Sequence, residues 1–93
     1  MSIIAGSVNV NGEVAQGKGF KVEIITEHGG WTCYGLSLLA GNMEDYSVVC
    51  QQTQNGECLI TNLKGTNLLQ VSAWTQGFNP VLPAFSFIAA KYS

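Results

Sequence analysis

His28 and Cys33, on either side of a Gly-Gly turn, are the best candidates in this sequence for a catalytic base and nucleophile. A cysteine nucleophile needs a base within hydrogen-bond reach and a third group that orients the base. No family signature surrounds Cys33, and the turn predicts an exposed histidine. The sequence therefore predicts no catalytic residue. A small enzyme that uses His28, Tyr34 or Glu44 as acid or base is the least favoured of three functional hypotheses.

Two further motifs could bind an ion or a phosphate, the acidic pair Glu44-Asp45 and the run Gly17-Lys18-Gly19. Adjacent residues on a strand point to opposite faces, so the acidic pair does not predict two carboxyls that share a proton. In a loop beside Asn42 the pair could ligate Ca²⁺, but an ordinary solvated loop explains the same residues. A phosphate loop needs the full G-x-x-x-x-G-K-[ST] motif before a helix. We expect neither a metal ion nor a cofactor.

The three cysteines, Cys33, Cys50 and Cys58, form no CxxC pair, and one histidine cannot complete a common zinc site with them. They are interpreted as small buried apolar residues. A hairpin with Asn55-Gly56 as its two central residues leaves Cys50 out of register with Cys58, whereas a loop centred on Gln54 places them opposite each other. We favour the first arrangement, which forms no disulfide.

Two tryptophans lie among uncharged polar side chains. Trp74 shares a predicted strand face with Gln70 and Ser72, and Trp31 follows the Gly-Gly turn. A flat apolar ring beside uncharged donors and acceptors is what a sugar site needs. The alternative is that each tryptophan packs in the core or against a neighbouring subunit. The predicted ligand contacts are Trp31, Tyr34, Asn42, Gln70, Trp74 and Gln76.

The chain of 93 residues has few charges, with four Lys, no Arg and six acidic residues for a net charge of -2. Its polar residues are mostly neutral, with seven Asn, six Gln, seven Ser and six Thr. Nucleic-acid binders neutralise phosphates with many basic residues, so a nucleic-acid partner is not expected. No run approaches the roughly 18 apolar residues of a transmembrane helix, so membrane insertion is not expected either.

Alternation of apolar and polar residues with a period of two recurs along the chain, and helix signals are nearly absent. Asn11-Gly12 is the strongest hairpin signal, because both residues tolerate positive φ. The pattern predicts seven or eight short strands in a single all-β domain, residues 1–93, with an antiparallel β-sandwich or jelly-roll-like architecture. The main predicted strands are 3–10, 20–26, 31–39, 46–52, 58–63, 68–75 and 84–91.

A domain of this size has a thin core, and interface cores contain few charged residues, as this chain does. We therefore expect a homo-oligomer, with a trimer favoured. Residues 1–6 contain no basic segment and no long apolar segment of the kind found in secretory signals. The expected location is therefore the cytoplasm, or outside the cell after release by a route without a signal.

The two ends of the chain carry a family resemblance. The opening run from Gly6 to Gly12, the following Gly17-Lys18-Gly19-Phe20-Lys21-Val22, and the closing segment from Pro80 to Ala89 resemble small β-sandwich domains. Such domains lie at the ends of bacterial surface, collagen-like and phage-tail-type proteins. The resemblance implies a jelly-roll-like module, often trimeric, used for assembly or for binding surface ligands. It implies no catalytic residue.

The leading functional hypothesis is a non-enzymatic, self-associating module that binds a neutral ligand, with a carbohydrate as the preferred class. The second is a purely structural domain, in which a trimer assembles through uncharged subunit faces. Oligomeric state and glycan binding distinguish the two, since a structural domain needs the first and not the second.

Overall fold

The computed structural model describes residues 1–26, 32–52, 58–74, 80–81 and 84–92. Within these ranges the chain forms nine strands in two antiparallel sheets that pack together, which confirms the predicted all-β sandwich. A 3₁₀ turn, Met43–Asp45, occupies part of the predicted loop between the fourth and fifth strands. The strands are β1 Ser2–Val8, β2 Val14–Gly17, β3 Phe20–Thr26, β4 Thr32–Leu38, β5 Ser47–Gln52, β6 Cys58–Lys64, β7 Leu68–Trp74, β8 Pro80–Val81 and β9 Phe85–Lys91.

The first sheet has the order β2-β1-β9-β5, and the second has the order β3-β4-β7-β6, with β8 beside β7. The two ends of the chain meet in the middle of the first sheet, where Ser2 lies opposite Lys91 and Val8 opposite Phe85. The predicted hairpin at Asn11-Gly12 is confirmed, since it joins β1 to β2. In this hairpin Gly12 has a φ of +80°.

The predicted hairpin between β5 and β6 is wrong, because the two strands belong to different sheets. β5 pairs with β9, and β6 pairs with β7, so the connection crosses from one sheet to the other. The Asn55-Gly56 turn itself lies outside the described residues. Cys33 is buried and Cys50 is half-buried.

The core forms from the inward faces of both sheets, as the alternation predicts. Phe85, Phe87 and Ala89 of β9 are buried against Tyr34 and Leu36 of β4 in a single cluster. Full burial of one such side chain stabilises the fold by about 1.5–3 kcal/mol. These side chains therefore fix which face of β9 points inward.

β4 differs from the prediction of one buried face, because residues on both of its faces are buried. Cys33, Gly35 and Ser37 lie on the face away from the core and are nevertheless covered. The side chains of Ile25 and Leu68 approach each other over Gly35, where a Cβ would meet both. A central strand of a small sheet is thus shielded by its neighbours as well as by the core.

A pair of glycines lets β3 pack under the first sheet. Gly6 lies opposite Gly17 in the β1–β2 register, and the ring of Phe20 occupies the space beside Gly6. A Cβ at Gly6 would lie 2.7 Å from the Gln16 carbonyl oxygen and closer still to the Phe20 ring. Phe20 then meets Phe87 edge to face, with ring centroids 4.8 Å apart. The missing side chain at Gly6 is therefore a packing requirement.

Replacing Gly6 by alanine should destabilise the domain, because the new methyl group overlaps the Phe20 ring. Overpacking of this kind costs about 1–3 kcal/mol, which denaturant unfolding followed by tryptophan fluorescence would measure. Gly65→Asn is the control, since Gly65 has a φ of +73° with no atom near its Cβ position and asparagine tolerates that conformation. Equal stability of Gly6→Ala and the wild type would contradict the described packing.

Candidate functional site

The outer face of the first sheet is set by the alternation along β9. Since Phe85, Phe87 and Ala89 are buried, Ser86, Ile88 and Ala90 point away from the core. The registers of β9 with β1 and β5 place outward residues of the three strands side by side, so that they form three rows across the sheet. Gln16 of β2 extends one of these rows, because it lies opposite Ser7. The polar row is Gln16, Ser7, Ser86 and Gln51, the aliphatic row is Ala5, Ile88 and Val49, and the third row is Ile3, Ala90 and Ser47.

A groove of about 390 Å³ lies over the polar row and the aliphatic row. Its volume is within the range of about 300–1,000 Å³ found for small-molecule sites. The lining consists of Ala5, Gly6, Ser7, Gln16, Gly17, Val49, Gln51, Ser86, Phe87 and Ile88. The groove therefore combines four uncharged polar side chains with aliphatic surface.

The groove is electrically neutral. No residue that lines it within the described ranges is charged, and none is a histidine or a cysteine. The amides of Gln16 and Gln51 and the hydroxyls of Ser7 and Ser86 can each both donate and accept hydrogen bonds. An anionic ligand would find no cation on these side chains. The arrangement suits hydrogen bonding to a neutral ligand.

Tyr34, one of the predicted ligand contacts, is a core residue. It is 0% exposed, its hydroxyl donates to the Asn9 carbonyl oxygen at 3.1 Å, and its ring lies 5.6 Å from that of Phe85. Burial raises the pKa of its hydroxyl. Because no part of Tyr34 is accessible to a ligand, we leave it out of the proposed site.

The other predicted contacts that the structure describes belong to different elements. Asn42 is exposed and immediately precedes the 3₁₀ turn, whereas Gln70 is half-buried on the second sheet and accepts a hydrogen bond from Asn62 at 3.2 Å. Trp74 ends β7 opposite Cys58, and its side chain is outside the description, as are Trp31 and Gln76. Asn42 lies near the start of β7, because the next residue, Met43, is hydrogen-bonded to the side chain of Asn67. Trp74 is seven residues further along the chain than Asn67, which corresponds to about 23 Å along a strand.

Asn67 is a structural residue that the sequence analysis did not identify. Its Oδ1 accepts the backbone N–H of Leu38 at 3.1 Å and that of Met43 at 3.0 Å. Its Nδ2 donates to the Leu38 carbonyl oxygen at 3.0 Å. One side chain thus joins the start of β7 to the end of β4 and to the 3₁₀ turn. The sequence gives no signal for these bonds, because they join residues 24 and 29 positions apart.

Removing the Asn67 side chain should leave two N–H groups and one carbonyl without these partners. We expect Asn67→Ala to lower the free energy of unfolding by about 2–3 kcal/mol, since each lost bond contributes about 0.5–1.5 kcal/mol. Asn62→Ala is the matched control, because its hydrogen bond is exposed and should contribute less than about 0.5 kcal/mol. Thermal or urea unfolding measures both, and equal effects would contradict the role of Asn67.

Cys50 lies on the inner face of β5, behind the groove, and burial raises the pKa of its thiol from 9.0 to about 11. At pH 8 a rise of two units lowers the reactive thiolate fraction about 100-fold relative to an unperturbed cysteine. Iodoacetamide labelling with peptide mass spectrometry should show this difference between folded and urea-unfolded protein. A folded-state rate at pH 8 equal to the unfolded rate would contradict the burial.

The raised pKa of Cys50 also sets the sign of a pH dependence. The folded state holds the proton more tightly than the unfolded chain, so the stabilising contribution is present below pH 9 and is lost as the pH rises through about 11. Cys50→Ala removes this group from the titration. The unfolding free energy of the variant should therefore fall less steeply over that interval than that of the wild type.

Comparison with models of known protein families, with curated proteins and with solved structures gives no match for this chain. The described ranges contain no helix that is long and apolar enough to span a membrane. Within the same ranges no three residues of the His, Cys, Asp and Glu types group closely enough to hold a metal ion. We therefore infer the function from the geometry and chemistry of the groove.

Proposed function

We propose that this domain is a non-enzymatic binding module for a neutral, hydroxyl-rich ligand, and that a carbohydrate is the class that fits best. The ligand would lie on the outer face of the first sheet. The observation that supports this proposal is the uncharged groove, in which the amides of Gln16 and Gln51 and the hydroxyls of Ser7 and Ser86 form one row.

The chemistry of this row matches a sugar. Each sugar hydroxyl both donates and accepts, and the four side chains of the row do the same. Neighbouring strands are about 4.8 Å apart, so a row across four strands spans about 14 Å. The C–H surface of a sugar ring would pack against Ile88 and Val49, which are 55% and 70% exposed. Binding in this way uses shape and hydrogen bonds, without charge or metal.

A site built around Trp31 and Trp74 remains a second location for the same function. Indole rings offer the stacking surface that the aliphatic row lacks. Variants distinguish the two locations. Binding in the groove requires the amides of the first sheet, whereas binding at the second location requires the tryptophans.

A glycan array probed with the wild-type protein, followed by titration of the best hit, tests this proposal. Gln16→Ala and Gln51→Ala should each weaken binding by about 3- to 10-fold, the equivalent of one net hydrogen bond. Ile88→Asp should abolish binding, because it places a charge in the groove. Trp74→Ala should leave binding unchanged.

Two controls make that test specific. Asn62→Ala removes an exposed amide on the second sheet, and Ile3→Asp places a charge on the same outer face but outside the groove lining. Both should bind as the wild type does. An array without hits at high protein concentration would overturn the lectin-like function, and binding lost only in Trp74→Ala would move the site to the tryptophans.

A structural assembly domain is the second candidate function, and exposed aliphatic side chains favour it. Ile3, Val49 and Ile88 are all more than half exposed and share the outer face of the first sheet. Contact between subunits would cover such side chains. An oligomer that binds no glycan would support this candidate over the first.

A further inference from the structure

β5 differs from the other strands at the sheet edges. β3 carries Lys21 and Glu23, and β6 carries Lys64. β2 has only four residues, lies directly between Glu13 and Lys18, and has an irregular register with β1. β5 has six residues with no charge, no glycine and no proline, and all six are in regular register with β9.

The backbone on the free side of β5 can accept another strand. Within the described part of the chain, β5 pairs with β9 and with no other strand. An edge strand presents N–H and C=O groups that a further strand can pair with, and proteins usually block such edges with charges, prolines, bulges or short strands. β5 carries none of these within Ser47–Gln52.

We propose that β5 pairs antiparallel with β5 of a second copy of this chain, so that the two first sheets form one continuous eight-stranded sheet. Two identical antiparallel strands are related by a two-fold axis, which is the commonest symmetry of soluble oligomers. Pairing β5 with itself opposes no like charges, because Ser47–Gln52 contains no charged residue. Charge therefore does not oppose a second copy of β5, and the choice of that copy depends on the register of the pair.

Side-chain direction limits the register of this pair. Directly opposed residues share a face, so the axis must pass through a residue and not between two. With the axis at Val49, Val49 meets its own copy on the outer face and Ser47 meets Gln51. With the axis at Cys50, Val49 would meet Gln51. The first register covers the more exposed apolar side chain, since Val49 is 70% exposed and Cys50 is half-buried.

Antiparallel pairing also separates the acidic residues of the two copies. Glu44 and Asp45 precede β5 in each chain, so the acids of one copy lie at the opposite end of the strand pair from those of the other. Val49 and Gln51 line the groove on its β5 side. The dimer therefore places two grooves next to each other on one sheet, where a ligand with repeated units could occupy both.

Sedimentation velocity or light scattering on the whole chain at tens of micromolar tests the dimer. The wild type should be a dimer, and Val49→Lys should be a monomer, because two lysines would oppose each other at the axis. Ile3→Lys is the matched control, since Ile3 is 61% exposed on the same face but belongs to β1, an interior strand of the sheet. It should remain a dimer.

Several outcomes would overturn this proposal. A strictly monomeric wild type would do so, as would a trimer, because the two-fold pair accommodates two copies. Dissociation of Ile3→Lys together with Val49→Lys would place the contact on the open face and not at the edge. Circular dichroism of both variants tests whether each is folded, so that loss of the dimer is distinguished from unfolding.

A cross-link tests the register independently. Opposed Cβ atoms in an antiparallel pair lie about 4.5–5.5 Å apart, close to the 3.5–4.5 Å of a disulfide. Val49→Cys should therefore form a covalent dimer under mild oxidation, and Ile3→Cys should not. A covalent dimer of the wild type through Cys50 would overturn the Val49-centred register.

The experiments can contradict the dimer and the proposed function independently of each other. A dimer that binds no glycan leaves the β5 pair standing and removes the binding proposal. A monomer whose binding is lost in Gln16→Ala does the reverse.

Discussion

The antiparallel pairing of β1 with β9 is the interaction on which the rest of the structure depends. It joins the two ends of the chain over seven residue pairs and places β9 between β1 and β5 in the first sheet. The alternation along β9 then does two things. Phe85, Phe87 and Ala89 enter the core, and Ser86 and Ile88 must face outward into the groove. Core and candidate site are thus opposite faces of one strand, and the packing that orients one also orients the other.

Much of this fold could be predicted from local pattern, because burial of alternate residues is a local property of a strand. Alternation places Tyr34 and Leu36 on one face of β4, and Phe85 and Phe87 on one face of β9, and these are the buried faces. The order of strands in a sheet depends on contacts between distant segments, and an alternating pattern does not indicate which strands pair. Asn55-Gly56 therefore predicted a hairpin where β5 in fact pairs with β9. The same limit applies to the groove, since Gln16, Gln51 and Ser86 become neighbours only through the sheet order.

Tyr34 illustrates a different limit. A tyrosine on an alternating strand fits both a ligand site and a core with one hydrogen-bonded hydroxyl. The decision depends on what covers it, and here the second sheet, the first sheet and the Asn9 carbonyl all do. Composition also does not predict where in the fold the charged residues lie. A low charge predicts neutral surfaces, but it does not say that the charges of β3 lie on the second sheet while the groove on the first has none.

An uncharged sheet face and an uncharged sheet edge have different physical consequences, and β5 carries both. On the face, the proposed ligand would replace water on hydroxyls and amides, so its polarity would have to match theirs. At the edge, backbone groups bind any strand of suitable length, so neutrality leaves the partner unselected and carries a risk of aggregation. The proposed two-fold pair would resolve this risk, because it closes both β5 edges against each other. Among the described strands, the remaining edges β2, β3 and β6 are short or charged. Selectivity for the same chain would then come from the proposed register, with Val49 opposite its own copy and the polar Ser47 opposite Gln51. The features that make the groove suitable for a neutral ligand therefore also favour a closed dimer over an open chain of strands.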